Sequence, residues 1–381
     1  MPEILIRMKK ALLKFIDLIV GLFYYRYEPE SYDWSRVKKV IIVRTDRVGD
    51  LVLSLPALRE LKKYRPDINL TMVVSSYTKE LLDESKIVDS LIIYKQNMDF
   101  WGRLKFISCL QREKYDLAID MPFSRKIFSG LITFLTKARI KMGFSGGIKG
   151  IFLNCRISPQ KGQRFEVERS FELLRYLMPE IPDTSLAGCI SADPGYVKRL
   201  MAEGVIASDK TSFYVAIHPG AYKNISNRSW PQERFAKLAD KLIKKYGAKV
   251  FFSGSKSRED IRLLESIRAK MQNDAVFIFG EARLRELYSL YGQMDLFIST
   301  FTGPLYLALS VGVPCVVLGG PTPHLRWMPP EGKNILLQAD ISCVPCNDNT
   351  VCRRKDYACM NGLAVNDVFG ACSKILGPAY R

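Results

Sequence analysis

The chain has 381 residues, 48% hydrophobic and 25% charged; this globular composition excludes a disordered, collagen-like or disulfide-scaffold protein and suggests two domains. Lys and Arg number 57 against 39 Asp and Glu, a net charge of +18, which suits a polyanionic partner: nucleic acid, an anionic membrane or a phosphorylated substrate. Nine cysteines, an odd count, argue against a full set of disulfides and for a reducing compartment, and only two histidines, His218 and His324, disfavour a histidine-based zinc hydrolase.

In chain order, residues 4–27 (ILIRMKKALLKFIDLIVGLFYYRY) place Arg7, Lys10, Lys14, Asp17 and Gly21 on one narrow polar stripe of a helix. The clean apolar run from Leu18 to Tyr25 falls short of the roughly 20 residues that a spanning helix needs. No small-residue cleavage site follows, so a secretory signal is not expected. Residues 1–30 therefore read as an amphipathic helix. It either packs on the chain's own body or lies in a membrane interface with Lys9, Lys10 and Lys14 toward anionic lipid.

Val37–Arg44, Asn69–Ser75, Ser90–Tyr94, Leu117–Asp120 and Lys137–Phe144 read as strands, with helical stretches at 51–61 and 104–111. Strand–helix alternation implies a parallel sheet with crossover helices. Ser145–Gln163 reads as loop, Phe165–Met178 as helix and Pro179–Asp193 as linker. A second alternation runs through strands 213–218, 249–253, 275–279, 296–299 and 314–318, with helices at 231–246, 256–271, 284–291 and 304–311. The expected architecture is α/β, two Rossmann-like domains (31–185 and 186–381) facing a cleft, with ligands at the carboxyl ends of the strands.

Three strand-to-helix junctions carry chemistry. The first is Arg44-Thr45-Asp46-Arg47-Val48-Gly49-Asp50, with one glycine where a dinucleotide fingerprint needs three; hydride transfer is disfavoured. Asp50 is either a helix N-cap or a general base, and Arg44 or Arg47 either pairs with Asp46 or meets an anionic substrate. The second runs from His218-Pro219-Gly220-Ala221 to Arg228, Trp230 and Pro231. Gly220 admits close backbone approach to a ligand, and Arg228 either neutralises a leaving phosphate or is a solvated loop cation. The third, Ser299 to Ala308, offers the Thr302 and Gly303 amides at a helix N-terminus. Glu259 is a ribose or adenine contact or a solvated helix-start residue. Arg125 and Lys126, with Lys137, Arg139 and Lys141, form a basic patch or a solvated face.

The ordered set resembles bacterial lipopolysaccharide heptosyltransferases, glycosyltransferase family 9, from about Val37 to Val368. It comprises R-x-D-x-x-G-D, HPG…W-P, the T-G-P helix start, Gly312-Val313-Pro314 and Gly320-Pro321-Thr322. Tyr115–Asp120, Ala138–Phe144 and Glu168-Arg169 also match. The resemblance implies the GT-B arrangement and inverting, metal-independent transfer of a sugar, heptose from ADP-heptose, onto a lipopolysaccharide core or related glycolipid. It makes Asp50 the base. Arg228, Thr302 and Gly303 become contacts to the donor diphosphate; Gly220, Ala221 and Glu259 are further donor candidates, and Arg47, Arg125 and Lys126 acceptor candidates, on the residues themselves. No catalytic cofactor is implied, and the location would be cytoplasmic, peripheral on the inner membrane face. Phe301 and Tyr306 depart from the family's usual Asp and His, and Phe165 stands where relatives often carry His. A Phe cannot accept a hydrogen bond from a sugar hydroxyl. The alternatives are another nucleotide-sugar, or a silent relative that binds glycolipid or a partner. Nucleic-acid binding rests on charge alone, with no accompanying motif, and is not expected.

Cys343, Cys346, Cys352 and Cys359 gather four thiols in a short segment. They would give four ligands to a structural zinc or iron, or stay free or redox-paired.

Overall fold

The computed structural model describes residues 27–122, 127–145, 148–160, 162, 164–180, 184–220, 228–330, 332–347 and 351–378. Nearly all of the expected N-terminal helix therefore lies outside the described residues. The chain forms two compact units, one of residues 1–162 and 166–184, the other of 163–165 and 185–381.

In the first unit the elements are β1 (Lys39–Arg44), α1 (Val48–Val52), α2 (Leu55–Tyr64), β2 (Asn69–Ser75), β3 (Ser90–Tyr94), α3 (Phe100–Gln111), β4 (Leu117–Asp120), α4 (Ile127–Leu135), β5 (Ile140–Phe144), β6 (Cys155–Ile157) and α5 (Glu166–Leu174). The strands are parallel, in the order β3-β2-β1-β4-β5-β6. Val40–Val43 of β1 are all fully buried, because a strand covered on both faces needs apolar side chains at successive positions. Ile41 and Val43 pack with Phe106 and Leu110 of α3 and Ile132 of α4.

Two elements here escape the sequence reading. α4 (IFSGLITFL) buries Ser129, Gly130, Ile132 and Thr133 and exposes Ile127, Phe128 and Phe134, so its apolar spacing does not mark the buried face and gives no helical signal. The expected loop Ser145–Gln163 contains a 3-10 turn at Ile148–Phe152 and the edge strand β6, whose three residues are too few to show alternation.

The second unit comprises α6 (Pro194–Ala202), β7 (Tyr214–His218), α7 (Gln232–Tyr246), β8 (Lys249–Ser253), α8 (Arg258–Arg268), β9 (Val276–Ile278), α9 (Leu284–Tyr291), β10 (Leu296–Thr300), α10 (Gly303–Val311), β11 (Cys315–Gly319), α11 (His324–Trp327), β12 (Ile335–Gln338), α12 (Ala358–Asn361) and α13 (Val365–Leu376). Its parallel order β12-β11-β10-β7-β8-β9 repeats the first unit's topology. α7 buries Phe235, Leu238, Ala239, Leu242 and Tyr246 at helical spacing and ends at Gly247, whose φ of +59° suits a residue without Cβ. Burial of each large side chain contributes roughly 1.5–3 kcal/mol. Trp230 is almost fully buried, donates from Nε1 to the Leu363 carbonyl at 2.9 Å, and sets its ring edge-on to Phe235 at 4.9 Å. That contact ties the start of α7 to the start of α13. The sequence reading omits α13, which closes this core with Val368, Ala371 and Cys372.

Candidate active site

Each sheet reverses its strand order once: between β1 and β4 in the first unit, between β7 and β10 in the second. Ligands of open α/β sheets bind outside the carboxyl ends of strands at such a point. The motif after β1 occupies the first reversal. The motifs after β7 and β10 occupy the second.

In the first unit α1 starts at Val48 with Arg47 at the N-cap, so Asp50 lies inside the first turn and is not the cap. The cap shifts because Leu51 N–H already bonds the Arg47 carbonyl at 3.1 Å. Asp50 is half-buried. Its peptide is held from below: Arg44 Nε and Nη2 donate to the Asp50 carbonyl at 3.0 and 2.6 Å, and Arg44 Nη1 lies 3.5 Å from Asp46 Oδ2. The Arg44 side chain is only 1% exposed. Arg44 thus holds the turn from inside, and Arg47 is exposed at its rim.

Beside it, at the end of β4, Asp120 is fully buried. Lys149 Nζ lies 3.0 Å from Asp120 Oδ2 and also donates to the Pro122 carbonyl. Burial pushes the Asp120 carboxyl above its ordinary range, opposed by the charges of Lys149 and Arg44. Gly143 pairs with Asp120 across the sheet, and a Cβ there would lie 2.9 Å from Leu153 and 3.1 Å from Asp120. Arg125 and Lys126 lie outside the described residues, as does Ala221.

In the second unit His218 ends β7. Its Nδ1 lies 3.3 Å from Ser253 Oγ, which in turn lies 2.8 Å from the Tyr291 hydroxyl. Burial pulls the His218 imidazole below its usual pKa, with the Asp260 charge opposing. The backbone passes between these groups at Gly220, where a Cβ would stand 3.1 Å from Asp260 Oδ1 and 3.3 Å from His218 Nε2. Asp260 Oδ2 accepts from Ser255 N at 2.9 Å and Ser255 Oγ at 2.6 Å, which shapes the turn after β8. Glu259, its neighbour, is exposed in the first turn of α8.

Thr302 caps α10 without a side-chain bond to the helix. Its Oγ1 lies 3.0 Å from Ser299 Oγ, and Ser299 Oγ donates to the His218 carbonyl at 3.0 Å. The Thr302–Gly303 turn is thereby tied to the end of β7. Arg228 Nη2 donates to the Phe301 carbonyl at 3.2 Å and to Thr322 Oγ1 at 3.1 Å. One guanidinium thus connects the second motif to the third and to the Gly-Pro-Thr turn after β11. Gly220, Arg228, Thr302 and Gly303 come together around this reversal; Glu259 sits on the neighbouring turn. Phe301 and Tyr306 are both buried, with Tyr306 against Trp327 at 6.3 Å between ring centroids.

The sequence reading misses Asp260, Ser253, Tyr291 and Lys149. A signal exists for one of them: Ser253 is a polar residue ending the apolar run of its strand at the carboxyl edge, as Ser75 does in β2 and Asp120 in β4.

None of the four clustered cysteines is disulfide-bonded. Burial raises the Cys359 thiol, and the neighbouring Cys352, Cys346 and Cys343 raise it further. Among the described residues no group of three or more His, Cys, Asp or Glu is arranged to hold a metal.

The model of glycosyltransferase family 9 (heptosyltransferase) matches residues 103–357. The chain belongs to this family. It is 25% identical over 304 residues to the lipooligosaccharide heptosyltransferase 2 of Haemophilus influenzae, covering 76% of this chain and 85% of that protein. It is 25% identical over 340 residues to the lipopolysaccharide heptosyltransferase 3 of Escherichia coli K12, covering 86% and 95%. The solved structure of the Escherichia coli ADP-heptose lipopolysaccharide heptosyltransferase II superposes with a TM-score of 0.71 at 19% identity, over 89% of this chain and 98% of that one. The expected family and the two parallel Rossmann-like sheets are both found, and the chain is a glycosyltransferase. No described helix is long and apolar enough to cross a membrane.

Proposed function

We propose that this chain transfers heptose from ADP-heptose to a sugar of a lipopolysaccharide core or related glycolipid, with inversion at the anomeric carbon. The observation that carries the reading is the placement of the family's ordered motifs at both strand-order reversals. In this reading Asp50 takes the proton from the acceptor hydroxyl, whose oxygen attacks the anomeric carbon as the bond to the diphosphate oxygen breaks. The clamp of Arg44 on the Asp50 peptide supports that role, since a base must be held within hydrogen-bond reach of its proton. Arg228 and the Thr302–Gly303 amides receive the departing diphosphate charge, and Gly220 lets the backbone come close to it. Glu259 meets the ribose or adenine. Arg47, Arg125 and Lys126 meet the acceptor's anionic groups. The enzyme works on the cytoplasmic face of the inner membrane, with residues 1–30 as its peripheral contact.

Phe301 and Tyr306 favour a second reading of the donor. Both are buried beside the third motif, where a Phe offers sugar hydroxyls no acceptor. A different nucleotide-sugar would then occupy the same machinery. Calorimetric titration of the full chain with ADP-heptose, then with ADP, UDP, GDP and their sugars, decides between the readings. Selective binding of ADP-heptose supports the first and preference for another nucleotide-sugar the second; no binding by the folded protein overturns both.

A further inference from the structure

The first unit exposes its large apolar side chains unevenly. Of the eleven large hydrophobic residues exposed among the described residues, five lie in the first turns of two neighbouring helices: Phe100, Trp101 and Leu104 of α3, and Ile127 and Phe128 of α4. Trp101 is 73% exposed and Phe100 67%. Isolated exposed apolar residues need no explanation; a contiguous group does. Tyr94 at the end of β3 packs between the two helices, its ring meeting Phe128 of α4 at 5.1 Å and the buried Phe106 of α3 at 5.6 Å, and the rings of Phe100 and Trp101 meet edge-on at 5.6 Å.

The charged side chains of the two helices themselves are all positive. α4 carries no charged residue at all. α3 carries only Arg103 and Lys105, both exposed. The adjacent carboxylate, Asp99, is engaged as the N-cap, accepting from Gly102 N–H at 2.8 Å. Aromatic rings flanked by cations are the composition of a surface that settles into the headgroup layer of an anionic bilayer. Position agrees with composition. α3 and α4 begin where β3 and β4 end, on the same sheet edge at which β1 delivers Asp50.

We infer that the first turns of α3 and α4 form a lipid-docking surface, with Phe100, Trp101, Leu104, Ile127 and Phe128 entering an anionic bilayer and Arg103 and Lys105 meeting its headgroups. This surface would bring the carboxyl edge of the first sheet to the membrane plane, where a lipid-linked acceptor is presented. The inference builds on the glycolipid reading of the acceptor. Its test reads lipid contact without sugar transfer, so either can fail alone.

The test is co-sedimentation of the full chain with vesicles of phosphatidylcholine alone and of phosphatidylcholine with phosphatidylglycerol. The parent should bind the anionic vesicles. The double substitution Phe100→Ser with Trp101→Ser should weaken binding at least about tenfold, with donor binding unchanged. Trp101→Phe should keep vesicle binding but lose the share of tryptophan quenching that brominated lipids cause in the parent. Undiminished binding by the double variant would overturn the inference and leave the N-terminal segment as the membrane contact. Shielding of Trp101 from acrylamide in lipid-free protein would also overturn it, because the chain itself or a second copy would already cover the face.

Discussion

The two units use one topology and fill its strand-order reversal with opposite chemistry. In the first, three charged side chains, Arg44, Asp120 and Lys149, are buried beneath the motif. In the second, the equivalent place holds neutral groups: His218, Ser253, Tyr291, Ser299 and Thr302. Under the proposed reaction the difference follows from what each side would hold. A general base needs its peptide fixed, and a guanidinium with two bonds to one carbonyl does that. A site for a diphosphate needs donors that remain available, so hydroxyls shape the turn while backbone amides and Arg228 supply the positive end. Buried charge is costly unless paired, whereas a satisfied hydroxyl network costs little.

The largest effect should come from the residue that the charged side presents. Asp50→Ala should lower turnover by about 10²–10⁴-fold, and the melting temperature should move by no more than about 2 °C because the carboxylate is not a core group. Sugar-transfer assays beside a thermal melt check this; retained turnover would remove Asp50 from the base role.

Next comes the buried pair. Lys149→Met leaves the Asp120 carboxylate buried without its partner and should cost about 3–5 kcal/mol, read from the urea midpoint. The double change Lys149→Met with Asp120→Leu should regain a large part of that loss, because the cost lies in the unpaired charge. The neutral side should respond less. Ser253→Ala removes a link between His218 and Tyr291 and should cost about 1 kcal/mol. If the serine change costs as much as the lysine change, the contrast between the units is false.

How far the sequence carries can be seen at particular residues. β2, β3, β4 and β8 stand at the bounds that their β-branched and apolar runs imply. β2, β4 and β8 are buried on both faces and the edge strand β3 is half-buried, and in each a short apolar run declares the strand. α4 and α13 are not declared; in α4 the small and polar Ser129, Gly130 and Thr133 are buried and large apolar residues are exposed, so its apolar spacing does not mark its buried face. At the site, Asp50, Arg228 and Thr302 are legible because strand–turn–helix junctions are local. The clamp of Arg44 on the Asp50 carbonyl and the approach of Lys149 to Asp120 are not, since they join positions that only the folded sheet brings together. The helix cap is a smaller lesson. Asp50 has the residue type of a cap, but the backbone turns three residues earlier, at Arg47.

The smallest expected effect concerns pH and separates the units again. His218 is neutral in the fold, since burial outweighs the opposing Asp260 charge and lowers its pKa from 6.5. Between that lowered value and 6.5 the unfolded chain binds the proton and the folded chain does not, so stability must fall as pH drops below about 6.5. The slope from one such group cannot exceed about 1.4 kcal/mol per pH unit. In the first unit Asp120 has the opposite sign. Its raised carboxyl keeps a proton that the unfolded chain has released, so lowering the pH from neutrality toward the ordinary carboxylate range favours that unit's fold. Comparing the parent with His218→Gln at pH 7.5 and pH 5.5 isolates the histidine, because every other group is common to both proteins. The gap in urea midpoint between them should shift in favour of the glutamine variant at the lower pH. A gap independent of pH would mean that folding leaves the histidine's affinity for its proton unchanged, and a gap that shifts toward the parent at the lower pH would mean that His218 is charged in the fold beside Asp260.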